Sequence, residues 1–136
     1  MKCITLWQPW ATWIALDWKT IETRTHSRFA CLVGERIAIH AGRRWDKAAF
    51  DLAAPYLTED QIKQTTDVPS GVVVCTAYVY NHFALSVAHS RYALIECESI
   101  RFGLLLSDIR PLKTLMPARG CQGIWNIELP EETDGS

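Results

Sequence analysis

The sequence predicts a mainly β, α+β fold: one small, strongly curved sheet or open barrel with flanking helices. Three observations carry this. Strand-like runs dominate, with KCITLW, KTIETRT, GERIAIHAG, GVVVCTAYVY, FGLLLSDIRPL and QGIWNIEL set against two helical connections. The link between the second and third runs is too short for a helical crossover, which argues against a doubly wound parallel sheet. The chain has 136 residues, 49% of them hydrophobic, which suits one domain with a real core. The expected bounds are 1–130 for the domain and 131–136, EETDGS, for a disordered acidic tail.

KCITLW alternates and is β-branched, so it reads as a short first strand. Pro9 suits the first position of a helix over 9–16, because it has no N–H to leave orphaned. Trp10, Trp13 and Ile14 follow helical spacing, with Trp18 a turn further on, and press an aromatic stripe onto the core. KTIETRT is the second strand. Extended-chain parity puts Glu22, Arg24 and His26 on one face and Ile21, Thr23 and Thr25 on the other. Lys19 falls in the helix-to-strand turn, where a bend brings it beside Glu22. GERIAIHAG is the third strand, with Ile37 and Ile39 opposite Arg36, Ala38 and His40.

WDKAAFDLAA reads as a helix with Trp45, Ala48, Ala49, Leu52 and Ala53 on one side. Pro55 interrupts it. Thr58 and Gln61 have the form of a capping box for a second helical piece, TEDQIKQ. GVVVCTAYVY is the strongest strand, and residues 81–100 read as a loop with some helix. Two more strands close the chain, joined by a loop containing Pro117 and Gly120.

The net charge of −1 does not mark a nucleic-acid binder, but its distribution is informative. Setting aside the three acids of the tail turns −1 into +2. From Arg24 to Lys47 there are six bases and two acids, a local +4 that includes the Arg43–Arg44 pair. Such a patch attracts phosphates even on a neutral chain. The five cysteines are isolated and odd in number, which argues against disulfides and zinc and for a reducing, cytoplasmic setting. The four histidines show no metal spacing, so no metal or cofactor is expected. No signal peptide or membrane-spanning run is present in the sequence.

The stretches LWQPWATWIALDWKTIETRT, RIAIHAGRRW, FGLLLSDIRPL and GIWNIEL resemble an ASCH domain, of the PUA-like superfold. That family carries a GxKxxExR motif after its first helix. Lys19, Glu22 and Arg24 match the three charged positions, and Asp17 stands where the glycine belongs. The resemblance spans roughly residues 3 to 129. It implies a β-barrel-like fold with a cleft between barrel and helices, lined by the motif. Its implied ligand is RNA or a modified nucleobase. At least one small bacterial member of the family is an amidohydrolase that removes acyl groups from N4-acylated cytidine, and another is reported as a ribonuclease. The amidohydrolase members use a threonine nucleophile three residues after the lysine, where this chain has Glu22. A carboxylate cannot do that work without a change of mechanism.

Two functions from different classes follow. The first is a binding module for single-stranded RNA or a modified nucleoside, with no membrane partner. Lys19, Arg24, Arg43 and Arg44 meet oxygens, and Glu22 accepts from an exocyclic amine. Trp10 stacks, and Gln8 reads a base edge. His26 shares the face of Glu22, and His40 ends an apolar strand; both join the expected ligand set. The second is a hydrolase in the same cleft, with Glu22 as general base and Lys19 or Arg24 stabilising an oxyanion. A protein-interaction surface built on the aromatic N-terminus is a third possibility.

Overall fold

The computed structural model describes residues 1–98 and 101–130; the expected acidic tail, 131–136, lies outside them. Six strands form one curled sheet, a half-barrel, in the order β2-β5-β4-β3-β1-β6. They are β1 (Lys2–Gln8), β2 (Ile21–Arg24), β3 (Arg36–Trp45), β4 (Val72–Ala84), β5 (Phe102–Pro117) and β6 (Ile124–Asn126). The β1–β3 pair is parallel, and every other pair is antiparallel. Irregularities in the register between β4 and β5 recur at three places. Such irregularities raise the local twist and let the two long strands bend rather than lie flat.

Apolar residues explain which faces close. Ile4, Leu6, Ile37 and Ile39 meet Ala11 and Ile14 of α1 (Trp10–Ala15) in the main core. Cys3, Ala38, Val73 and Leu112 fill the opposite side of the central strands. Burial on both faces is why the middle of β3, residues 37–41, is apolar but for His40. Helix α2 (Ala49–Ala53) packs with Trp13 and Leu94 in a smaller cluster, and Ala93 of α4 (Ser90–Ala93) joins Ile21 and Leu105 in another. The capping box at Thr58 is present and opens α3 (Glu59–Lys63).

Three expectations need correction. Trp45 does not begin a helix; it ends β3, because a shift in the β1 register pairs Gln8 with Trp45 and prolongs the strand. Residues 81–84 are not loop but the end of β4, paired with β5 from Leu105 to Phe102. Pro9 precedes α1 as its cap residue rather than sitting in its first turn, and its peptide bond with Gln8 is cis.

Candidate functional site

The junction between α1 and β2 builds the site. Asp17 has φ 65°, a left-handed conformation that reverses the chain after the helix. The N–H groups of Trp18 and Lys19 both donate to the Trp13 carbonyl at 3.0 Å, completing the reversal. Lys19 is thereby turned inward. Thr20 then secures the entry to β2: its N–H donates to Tyr92 O, and its carbonyl accepts from Leu106 N–H, each at 2.9 Å. The Lys19 side chain is 1% exposed, against 9% for Glu22 and 29% for Arg24.

Glu22 lies between two cations. Lys19 Nζ is 3.8 Å from Oε1, and Arg24 Nε is 3.3 Å from Oε2. Lys19 donates to Ala93 O at 2.5 Å, and its ammonium lies 5.0 Å from the centre of the Trp10 ring. Burial pushes Lys19 down from 10.5 to about 8, with Glu22 pulling the other way. Arg24 Nε is buried without an acceptor in hydrogen-bonding geometry. Its guanidinium also stacks over Phe29 at 4.9 Å.

These three side chains and Trp10 line a cleft of about 250 Å³, together with Leu52, Ile95, Asp46 and Arg101. Beside it runs a groove of about 1360 Å³, lined by Arg24, Arg28, Arg43, Arg44 and Arg119 and, among the described residues, by no carboxylate. Thr5, Trp7 and Arg24 line both cavities, so the cleft and the groove are neighbours that share a wall. Trp7 is exposed, and Arg44 stacks on its ring at 5.1 Å.

The fold separates the other expected residues. Gln8 lines neither cavity. Its amide is fully engaged: Nε2 donates to Thr12 Oγ1 and Pro69 O, each at 2.7 Å, and Oε1 accepts from Thr12 N–H at 3.0 Å. It is the cap of α1 that Pro9 cannot supply. Trp10 lines the cleft, with its indole N–H fixed on Asp46 at 2.7 Å. His26 does not reach Glu22. Strand β2 stops at Arg24, and His26 lines the groove instead, edge-on to Phe29. Partial burial first, then the charges of Arg28 and Arg24, lower its pKa.

His40 lines the groove and anchors the loop between β5 and β6. Its Nε2 donates to Ala118 O at 2.7 Å, since a carbonyl only accepts. Its Nδ1 therefore accepts from the Thr5 hydroxyl at 3.2 Å, and that oxygen accepts from Trp125 Nε1 at 3.0 Å. Burial holds His40 below its usual pKa, opposed by the Ala118 carbonyl. Arg119, Arg101 and Asp46 were not legible as site residues. Arg119 lies two residues after Pro117 and directly before Gly120, a signal of a turn rather than of a ligand. Among the described residues no three His, Cys, Asp or Glu side chains converge on a metal position. No helix among them is long and apolar enough to cross a membrane.

No protein-family profile matches the sequence, and no curated protein matches it significantly. Solved structures do. ASCH from Zymomonas mobilis is similar over 97% of this chain and 89% of its own, with TM-score 0.61 and 18% identity. A serine-to-alanine mutant of that protein gives 0.57 at 20% identity. A tyrosine-to-phenylalanine mutant gives 0.58 at 19%, covering 91% of its own length. At this identity the shared property is architecture: the curled six-stranded half-barrel with short flanking helices is the ASCH fold of the PUA-like class, and this chain has it.

Proposed function

We propose that this chain binds single-stranded RNA, with one base lodged in the small cleft and the adjoining phosphates along the arginine groove. One observation carries the reading: a cleft floored by Lys19, Glu22 and Arg24 shares a wall with a groove lined by five arginines and, among the described residues, no acid. A base needs a small polar pocket. A phosphodiester chain needs a continuous positive track. Trp7, exposed on the shared wall, offers a ring face between the two. A cytoplasmic setting goes with this reading, because all five cysteines are free.

The test is titration of a fluorescently labelled RNA octamer at several salt concentrations. The expected result is saturable binding whose logarithm falls linearly with log salt, by about 0.7 per phosphate contacted. Arg43→Ala with Arg44→Ala reduces that slope. Absence of saturable binding at low salt overturns the proposal. Salt-insensitive binding of a free nucleoside points instead to a modified nucleoside as the ligand of the same cleft.

A hydrolase reading has one observation in its favour. Lys19, lowered to about 8, lies beside a carboxylate that can accept a proton. An ammonium of that acidity both stabilises an oxyanion and can give up its proton near neutral pH. Product from N4-acetylcytidine or from labelled RNA, lost in both Lys19→Ala and Glu22→Ala, supports it; activity surviving both changes removes the motif as its seat.

A further inference from the structure

We infer that the small cleft selects a base with an imide edge, carbonyl–NH–carbonyl, as carried by uracil and its ring-modified derivatives. The inference rests on the base-in-cleft reading above and names the base that the reading leaves open. Glu22 occupies the middle of the floor, with Lys19 against one carboxylate oxygen and Arg24 against the other. The floor therefore presents donor, acceptor, donor.

All three groups have capacity to spare. The Glu22 side chain accepts no hydrogen bond among the described residues: Lys19 is too far at 3.8 Å, and Arg24 Nε at 3.3 Å is not aligned. Lys19 spends one of its three N–H groups on Ala93 O. Arg24 Nε has no acceptor, and a buried donor without one is costly. A ligand that puts an N–H on Glu22 and an oxygen toward each cation serves all three at once.

Uracil has that edge: O2, N3–H and O4 in sequence. Cytosine does not. If its N4 amine meets Glu22, its N3 meets one cation and the other cation faces a C–H. If N3 meets Glu22 instead, two lone pairs oppose each other. Guanine follows N1–H with a second N–H, which falls before a cation. Adenine's N6 amine lies between N1 and N7, but those lone pairs diverge onto two different edges, so on either edge it offers one donor and one acceptor and leaves the third group unserved. Discrimination by unpaired polar groups is stronger than discrimination by shape alone.

The experiment uses a short RNA backbone that is abasic except at one central position, at fixed salt. That position carries uracil, cytosine, adenine, guanine or N3-methyluracil, and affinity is measured by calorimetry. Uracil is expected to bind at least tenfold tighter than cytosine. N3-methyluracil, which keeps both carbonyls but has no N–H, is expected to lose the same factor. In Glu22→Gln the preference for uracil over cytosine falls, because the amide can donate to cytosine N3. Equal binding of uracil and cytosine, or of uracil and its N3-methyl form, overturns the inference and leaves base binding standing. If every single-base strand binds no tighter than the fully abasic one, the base-in-cleft reading fails and takes this inference with it. The N3-methyl probe needs no variant, so the outcome does not depend on how Glu22→Gln folds.

Discussion

The Lys19 ammonium is 3.8 Å from Glu22 Oε1, and the lysine side chain is 1% exposed. The two residues are not equally dependent on each other. Arg24 remains beside Glu22 when Lys19 is removed, whereas Lys19 has no second carboxylate within ion-pair distance among the described residues. Lys19→Met is therefore expected to be mild. Glu22→Gln strands a buried charge and is expected to cost on the order of 3 kcal/mol. Urea unfolding of the two variants checks the ranking, and the reverse order contradicts it.

Stability should respond to pH through the same lysine. Its folded pKa is about 8 and its unfolded value 10.5. Between these the unfolded chain holds the extra proton, so the contribution of Lys19 to stability rises with pH across that window. Cys3, whose thiol burial pushes up to about 12, works in the opposite sense in the alkaline range. Comparison with Lys19→Met isolates the lysine. Wild type is expected to gain on the variant from pH 8 to 10.5, and a constant difference refutes the assignment. Ligand binding that uses the ammonium weakens as pH rises through about 8.

Gly120 is held flat against the ring that anchors the groove loop. A Cβ there would lie 2.7 Å from His40 Cε1 and 2.8 Å from Thr5 Oγ1. Both groups are engaged in the Trp125–Thr5–His40–Ala118 chain of hydrogen bonds. Gly120→Ala is expected to displace the loop, at about 1–3 kcal/mol, as overpacking does elsewhere. Thermal unfolding measures the loss, and RNA titration should show weaker binding at the groove.

Asp17 stands in a left-handed conformation that glycine adopts without the Cβ penalty. Asp17→Gly is expected to leave stability unchanged or raise it by up to about 1 kcal/mol. A clear fall in Tm in a thermal melt contradicts this account of the turn.

Much of this was legible because the decisive residues are close in sequence. KTIETRT holds Lys19, Glu22 and Arg24 within a single turn and strand, and Asp17 sets the turn before them. Thr58 and Gln61 declare their helix start three residues apart. The groove is different. Arg24 and Arg119 line it together only because β5 carries the chain from its pairing with β2 to the loop whose Ala118 carbonyl is held by His40 of β3. No local pattern encodes that encounter. His26 was misplaced for a related reason: alternation predicts a face only while the strand lasts, and β2 lasts four residues. Gln8 looked like a reader of bases because an amide is equally suited to capping, and only the neighbouring Thr12 and Pro69 decide which.

β2 is the outermost strand of its sheet, bonded to β5 along one side and, among the described residues, to no strand along the other. Two of the three residues that floor the cleft, Glu22 and Arg24, are thus carried by a segment whose release breaks four register pairs and leaves the central ladders whole. Amide hydrogens of Ile21–Arg24 should therefore exchange with solvent through a local opening, well before those of β3 and β4. An occupant seated on Glu22 would have to be expelled for that opening to happen, so slowed exchange in this one tetrapeptide becomes a label-free signature of occupancy.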